Sequence, residues 1–237
     1  MKKIIPSFLT ILNLVCGCLA IALAFQFQFE AVLILVCLGV FFDFLDGLAA
    51  RALDAVTNFG KHLDSITDVI TSGVVPGIIV YQLFKLSGNK VFDFEVYAFG
   101  YDLIFSLSPI SFIGFLITIA SAIRLSKYNT LTRSDEFIGL PTPANAIFFA
   151  SLPVLINSDI LIDSKEIFLN NYFLIGSVIS SVILMNSPFR LFSFKAIFKD
   201  FQSNVYQILL ILISIPILIY FNLGGFTIII LIYLLLN

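Results

Sequence analysis

Eight long apolar runs follow one another along this chain of 237 residues, and they constrain its fold more than any other feature. A helix that crosses a membrane needs about 20 mostly apolar residues, because its backbone must satisfy its own hydrogen bonds inside the lipid. The runs lie near residues 5–27, 31–49, 66–86, 102–126, 141–157, 168–186, 203–221 and 223–236. They predict an all-α, polytopic transmembrane bundle of about eight spanning helices, the last two joined by a tight hairpin at residues 222–225.

The composition supports one integral membrane domain over residues 1–237. Apolar residues make up 59% of the chain and charged residues 12%, whereas a soluble domain has roughly 45–50% and about 25%. The net charge is -2 and no basic stripe is present, which argues against a nucleic-acid partner. The first apolar run exceeds the 7–15 residues of a typical signal-peptide core, so we expect an uncleaved first span.

The distribution of cations predicts the orientation in the membrane. If both termini are cytoplasmic, ten of the 13 lysines and arginines fall on the cytoplasmic side: Lys2, Lys3, Arg51, Lys61, Arg124, Lys127, Arg133, Arg190, Lys195 and Lys199. The other three, Lys85, Lys90 and Lys165, fall on the opposite side. Positive charge in short loops marks the cytoplasmic face. We therefore expect a multi-pass protein of the bacterial cytoplasmic membrane, with the aspartate-rich stretch 43–68 and the active site on the cytoplasmic face.

Four aspartates interrupt this apolar chain within residues 43–68. At about 100° per residue, Asp43 and Asp46 share one stripe of the second helix with a glycine and an alanine. Asp64 and Asp68 lie one turn apart on the third helix. Because the two helices are antiparallel neighbours joined by a short connection, all four carboxylates are expected to converge at the cytoplasmic end.

Converging carboxylates repel one another, and divalent metal is the simplest way to neutralise them. Ligands that are all oxygen favour Mg²⁺ or Mn²⁺, with Ca²⁺ a further option, over zinc or copper. Two such ions would hold and polarise a pyrophosphate, as in phosphoryl-type transfer. Gly47 and Gly60 lie on the acidic stripes, where a side chain would block a ligand; close helix packing is the alternative reading.

The spacing of these residues resembles the signature of the CDP-alcohol phosphotransferases. It reads Asp43-x-x-Asp46-Gly47-x-x-Ala50-Arg51-x8-Gly60-x-x-x-Asp64-x-x-x-Asp68. The resemblance implies a membrane enzyme in which a CDP-linked lipid donates its phosphatidyl group to an alcohol and releases CMP. It also implies a catalytic core over residues 1–186, with additional transmembrane helices in 187–237, and a family whose members often form homodimers.

The same resemblance assigns roles to individual positions. The four aspartates match metal ligands, and Asp68 also matches the proposed proton acceptor. Five residues match contacts to the CDP-lipid: Thr10, Gly47, Arg51, Thr57 and Gly60. Ser7 departs from the asparagine that the family commonly has there, and we assign it no role.

A second stretch bears on the acceptor alcohol. Arg124-Leu-Ser-Lys127-Tyr-Asn129, with residues 137–146, resembles a segment of the membrane-embedded phosphatidylserine synthases. This implies CDP-diacylglycerol and L-serine as substrates, with Arg124 and Lys127 binding the lipid phosphate or the serine carboxylate; Lys127 replaces the usual arginine. The alternative is that both are simply a cytoplasmic anchor.

Two other functions stay open at this point. The same chemistry could use glycerol phosphate, inositol phosphate or an amino alcohol as acceptor. A cation transporter is a remoter alternative, because intramembrane carboxylates often mark ion pathways. Transporters often show inverted repeats with acids near the bilayer midplane, whereas these acids cluster at one end and no repeat is visible.

Overall fold

The computed structural model describes residues 4–130, 139–158, 160, 165–188 and 205–236. Ten α-helices and two strands follow along these residues. They are α1 (Ile4–Phe25), α2 (Phe29–Ala52), α3 (Asn58–Val69), α4 (Val75–Leu86), β1 (Phe92–Ala98), β2 (Tyr101–Leu107), α5 (Phe115–Thr130), α6 (Thr142–Ile156), α7 (Lys165–Phe168), α8 (Asn171–Asn186), α9 (Val205–Phe221) and α10 (Gly225–Leu235). A π-helical segment, Ile70–Val74, joins α3 to α4, and two short 3₁₀ segments precede α5 and α10.

The predicted class, a helical membrane protein, is confirmed. Each of the eight apolar runs coincides with helix over most of its length. Within the described residues, five helical stretches are long and apolar enough, by length and composition, to cross a membrane: Ile4–Phe25, Phe29–Ala52, Asn58–Leu86, Pro109–Tyr128 and Gln207–Leu235. The last of these contains both α9 and α10 and is interrupted by the 3₁₀ segment Asn222–Gly224. Helices α6 and α8 are apolar but shorter, with 15 and 16 residues.

One boundary prediction is wrong. The expected span at 102–126 begins with strand β2, which pairs antiparallel with β1 from Phe92↔Leu107 to Ala98↔Tyr101. The reason is local: apolar and polar residues alternate here with a period of two, which suits a strand and not a helix. Phe99 and Gly100 form the two-residue turn, with φ angles of 54° and 82°, as hairpin turns of this kind require.

The stretch from α3 to α4 lies at the centre of the bundle. It is the most buried of the five long stretches, and its side chains Ile79, Leu83 and Phe84 are almost fully enclosed. Helix α1 packs along α2 and also against α3 and α4, while α5 and α6 cover the other sides. The central position of this stretch lets residues of α3 face both α1 and α2.

The π-helical segment is where α5 joins the bundle. In a π-helix the i→i+5 hydrogen bonds disturb the regular α ladder. Thr118 on α5 donates a hydrogen bond to the Gly73 carbonyl (3.0 Å), and Ser121 donates to the Ser72 carbonyl (3.4 Å). A Cβ added to Gly77 would lie 2.6 Å from Thr118 Oγ1. Side chains of α5 therefore contact the backbone of this segment directly.

The predicted helical hairpin at 222–225 is also present. Asn222 has φ 51°, and a Cβ on Gly225 would lie 3.1 Å from the Ile217 carbonyl oxygen. Eight residues of straight helix would separate those two positions by about 12 Å. The chain therefore reverses direction between α9 and α10.

Candidate functional site

Three of the four aspartates form a compact cluster. Carboxylate oxygens of Asp43, Asp64 and Asp68 all lie within 4.8 Å of one another. Asp43 comes from the second half of α2, while Asp64 and Asp68 occupy successive turns of α3. All three side chains are half-buried. The predicted convergence of the two acidic stripes is thus present for these three carboxylates, which we call the aspartate cluster.

The fourth aspartate, Asp46, lies beside the cluster and not within it. It is buried, and Thr10 on α1 donates a hydrogen bond to its Oδ2 at 2.5 Å. The Pro6 carbonyl also lies 3.0 Å from the same hydroxyl. Thr10 therefore joins the first helix to the acidic stripe of the second.

A hydrogen-bond chain from α1 reaches the last aspartate. Asn13, which is buried, donates from Nδ2 to Asp68 Oδ1 at 3.4 Å. Its Oδ1 accepts a hydrogen bond from Thr71 Oγ1 at 2.9 Å. Asn13 was not predicted as a site residue from the sequence because it lies in an apolar run outside the acidic stretch. One feature could have indicated it: a lone amide side chain in a spanning helix needs hydrogen-bond partners when it is buried.

Two glycines make room for this chain of hydrogen bonds. A Cβ on Gly39 would lie 2.8 Å from both Asn13 Oδ1 and Thr71 Cγ2. A Cβ on Gly17 would lie 2.7 Å from Thr71 Oγ1. Distances below 3.0 Å force atoms to move, so the close approach of α1, α2 and the π-helical segment depends on both glycines.

A cavity of about 200 Å³ opens next to the aspartate cluster, between the start of α1, the end of α2 and the start of α3. All five residues predicted to contact the CDP-lipid line it, together with two of the acids: Thr10, Gly47, Arg51, Thr57, Gly60, Asp46 and Asp64. Ser7, to which the sequence assigned no role, lines it as well. A hydroxyl at this position adds one donor and two acceptors to the wall.

Local chemistry explains how the wall is built. Thr57 caps helix α3, because its Oγ1 accepts a hydrogen bond from the Gly60 amide at 3.0 Å, the usual role of threonine at a helix start. A Cβ on Gly60 would lie 3.1 Å from that same oxygen. A Cβ on Gly47 would lie 3.4 Å from the Arg51 guanidinium. Because Gly47 and Gly60 have no side chain, the cavity stays open at these positions and reaches their backbone.

Arg124 and Lys127 are not among the residues that line this cavity. Arg124 is buried on α5, its guanidinium lies 5.1 Å from the centre of the Tyr128 ring, and its Nε has no hydrogen-bond partner among the described residues. Lys127 is exposed on the same helix. Six cations that the orientation argument also used lie outside the described residues: Lys2, Lys3, Arg133, Arg190, Lys195 and Lys199.

The donor set of the aspartate cluster fits a hard divalent cation. Asp64 Oδ1 is buried and has no hydrogen-bond partner in the described part of the chain. A buried, unpartnered carboxylate oxygen is costly, and carboxylate oxygens are the preferred ligands of Mg²⁺, Mn²⁺ and Ca²⁺. The cluster could therefore bind a metal.

Comparison with known proteins agrees with this geometry. The profile of the family described as CDP-alcohol phosphatidyltransferase matches residues 3–185, which include the aspartate cluster and the cavity. The chain belongs to the CDP-alcohol phosphatidyltransferase family, which is a family of phosphotransferase enzymes.

Several curated relatives carry more specific names. The chain is 33% identical over 144 residues to a CDP-diacylglycerol–serine O-phosphatidyltransferase of Bacillus subtilis, a match that covers 59% of this chain and 69% of the relative. It is 34% identical over 160 residues to the protein of that name in Methanocaldococcus jannaschii, covering 67% and 65%. An archaetidylserine synthase of Methanothermobacter thermautotrophicus is 34% identical over 150 residues, covering 62% and 56%. The matched part thus covers between 56% and 69% of the length of these three relatives.

Proposed function

We propose that this chain transfers the phosphatidyl group of CDP-diacylglycerol to the hydroxyl of L-serine, giving phosphatidylserine and CMP. The observation that carries the proposal is the juxtaposition of the aspartate cluster with a cavity lined by Thr10, Gly47, Arg51, Thr57 and Gly60. Serine as acceptor is supported by the names of the relatives from Bacillus subtilis and Methanocaldococcus jannaschii.

Asp43, Asp64 and Asp68 would hold a divalent metal, with Asp46 as a further ligand, and Mg²⁺ or Mn²⁺ suits them best. A set of four carboxylates is suited to two ions. When bound, metal of this kind supplies positive charge that stabilises the negative charge of a pyrophosphate and of its leaving group.

The side chains of this protein provide the remaining steps. The nucleotide part of the donor would rest against Gly47, Gly60 and the guanidinium of Arg51, where the absence of side chains lets it approach the backbone. The serine oxygen forms a bond to the phosphorus that bears the diacylglycerol, and the bond from that phosphorus to the CMP oxygen breaks. Asp68 accepts the proton of the serine hydroxyl as a general base.

Asn13 would act as a positioning residue in this reaction. Its amide holds one oxygen of Asp68 while Thr71 holds the amide. The orientation of Asp68 is then fixed before substrate arrives, which favours proton transfer from a correctly placed hydroxyl. Arg124 and Lys127 stand as proposed contacts to the serine carboxylate or the lipid phosphate as these enter from the side of α5.

The distribution of cations supports a location of the site at the cytoplasmic face of the cell membrane. The donor would then reach the cavity from the inner leaflet, with its acyl chains remaining in lipid. Homodimer formation, which the family resemblance implied, remains a prediction.

The proposal is tested by measuring CMP release and the lipid product with purified full-length protein, CDP-diacylglycerol, Mg²⁺ or Mn²⁺ and a panel of acceptors. We expect phosphatidylserine from L-serine and little product from glycerol phosphate, inositol phosphate or an amino alcohol. A preference for another acceptor would overturn the serine assignment but keep the chemistry. Transport of the metal ion without release of CMP would overturn the proposed phosphatidyl transfer.

Two matched variants sharpen this test. Asp64→Asn removes a charge from the aspartate cluster and should abolish CMP release. Asp54→Asn removes a charge from the exposed loop between α2 and α3, at a φ of 49° that asparagine tolerates well, and should leave the rate unchanged. Equal losses in both would mean that the rate follows overall charge and not the cluster.

A further inference from the structure

The β-hairpin has two chemically different faces. Its register places one row of apolar side chains together: Phe92, Phe94, Val96, Ala98, Tyr101, Leu103, Phe105 and Leu107. The opposite row carries three acids together with other residues: Asp93, Glu95, Tyr97, Asp102, Ile104 and Ser106. Successive residues of a strand point to opposite faces, so the hairpin is amphipathic along its whole length.

The apolar face of the hairpin is uncovered within the described residues. Phe94 is 49% exposed, Phe105 47% and Leu103 41%, although each lies in the middle of its strand. A two-stranded hairpin with an exposed apolar face is only marginally stable in water. This face therefore calls for an apolar partner.

The base of the hairpin is fastened to one end of the helical bundle. Asn171, at the start of α8, donates to Asn89 Oδ1 at 2.6 Å and accepts from Asn89 Nδ2 at 2.8 Å. Ser87 also donates to Asn171 Oδ1 at 3.0 Å. On the other side, β2 ends at Leu107, two residues before the apolar stretch that begins at Pro109. The hairpin is therefore held where two membrane-spanning stretches leave the lipid.

The acids of the opposite face restrict what can cover the hairpin. Asp93 accepts a hydrogen bond from Ser106 at 2.6 Å across the strands, and Asp102 pairs in register with Tyr97. Carboxylates are costly to place in an apolar environment, so only one of the two faces can be buried. Tyrosine, by contrast, is enriched where membrane meets water, and Tyr101 lies on the apolar face.

We propose that the hairpin lies flat on the membrane surface, with its apolar face in the lipid and its acidic face in water. The partner is the lipid surface itself, on the side of the membrane opposite the aspartate cluster. Amphipathic helices that lie on a membrane place their apolar side about 5–10 Å into the boundary between headgroups and acyl chains, and we expect a similar depth for the apolar face of this hairpin. The hairpin thus anchors the far end of the central helices in the lipid, without any role in the reaction proposed above.

The chain contains no tryptophan, so a single introduced tryptophan reports on one position only. We would reconstitute full-length Phe94→Trp and Tyr97→Trp proteins in phosphatidylcholine vesicles, with and without lipid brominated near the top of the acyl chains. The two positions lie three residues apart on β1 but on opposite faces. Tyr101→Trp, on the apolar face near the turn, serves as a second reporter, and circular dichroism checks that each variant keeps its helical content.

The expected result is a blue-shifted emission of Phe94→Trp and Tyr101→Trp that brominated lipid quenches severalfold more than that of Tyr97→Trp. Emission insensitive to brominated lipid at all three positions would overturn the proposal, because the hairpin would then stand in water. Equal quenching on both faces would also overturn it. A blue-shifted emission that depends on the protein-to-lipid ratio and not on bromine would assign the face to a second copy of the chain instead.

Discussion

At the scale of single residues, only a few side chains hold each carboxylate of the site in place. Asp46 is held by Thr10 and Asp68 by Asn13, both from α1, while Asp64 keeps one buried oxygen without a partner. The first helix therefore orients two of the four acids, although it contributes no acid of its own.

Asp68→Asn tests the role of the last aspartate. The amide keeps the size of the side chain but cannot accept a proton, and general-base catalysis contributes roughly 10²–10⁴-fold. We expect the rate of CMP release to fall by at least about 10²-fold, while labelled CDP-diacylglycerol still binds. Near-normal turnover in this variant would remove Asp68 from the reaction.

Asn13→Ala tests the positioning role that the structure adds. The change removes the amide that donates to Asp68 and leaves Thr71 Oγ1 only the main-chain carbonyl of residue 13, at 3.4 Å. An unpaired buried polar group costs about 1–3 kcal/mol. We expect a lower kcat with a nearly unchanged KM for CDP-diacylglycerol, together with a lower unfolding temperature. Val15→Ala, at an exposed position of the same helix, serves as control. Loss of stability with an unchanged kcat would make Asn13 merely structural.

Arg124→Ala and Lys127→Ala test the proposed contacts on α5. Each removes a cation that could pair with the serine carboxylate or the lipid phosphate, and we expect a higher KM for one substrate at a similar kcat. Arg124→Lys keeps the charge but loses the planar, two-pronged donor and should recover part of the affinity. If KM and kcat are unchanged in both alanine variants, Arg124 and Lys127 serve only to anchor α5 at the cytoplasmic surface of the membrane.

Sequence alone located most of these residues, for two different reasons. Asp43, Asp64 and Asp68 meet because helical spacing places them on facing stripes, whereas Gly47, Arg51 and Thr57 in the cavity wall were expected as contacts to the CDP-lipid only from the resemblance to the CDP-alcohol phosphotransferase signature. Contacts between distant helices leave no such trace. The pairing of Asn13 with Asp68 and the place of Ser7 in the cavity wall required the three-dimensional arrangement of α1.

At the scale of elements, the π-helical segment and α5 depend on each other. Membrane interiors offer no water to a backbone carbonyl that lacks a donor, and here Thr118 and Ser121 provide donors to the carbonyls of Gly73 and Ser72. Hydropathy predicted the helices on both sides but not the π turn, because an apolar run has the same composition in either geometry. It also missed the β-hairpin, whose period-two alternation was hidden inside an apolar window.

Thr118→Val tests this junction. Valine has the shape of threonine without the hydroxyl, so the Gly73 carbonyl loses a donor at a cost of about 0.6–1.5 kcal/mol. We expect Thr118→Val to lower the unfolding temperature of the detergent-solubilised protein. Thr118→Ser keeps the hydroxyl, so its unfolding temperature should lie closer to that of the unchanged chain. Equal stability of the valine variant and the unchanged chain would show that the contact contributes nothing.

At the scale of the whole molecule, the two ends of the bundle have different chemistry. The aspartate cluster and its cavity lie at one end, and the hairpin and the Asn89–Asn171 contact lie at the other. The central stretch Asn58–Leu86 connects them over 29 residues, or about 43 Å of helix. Packing of apolar helices, and not the acids, holds these ends apart.

Removal of divalent metal tests this separation. A chelator should stop CMP release, and added Mg²⁺ or Mn²⁺ should restore it, because uncompensated carboxylates repel the donor's pyrophosphate. The far-ultraviolet circular dichroism should stay the same, since the helices do not depend on the ion. Asp64→Asn should weaken Mn²⁺ binding measured by electron paramagnetic resonance, whereas Asp54→Asn should not. Unfolding on chelation would instead make the metal structural.

The cavity wall has a practical consequence for handling this protein. Pro6 and Ser7 form part of it, so a label or fusion partner attached ahead of Ile4 would be tethered only a few residues from the opening. Reporter groups that must not disturb turnover belong at the opposite end of the bundle, far from this wall, where no other described part of the chain covers the side chain of Phe99 at the hairpin turn.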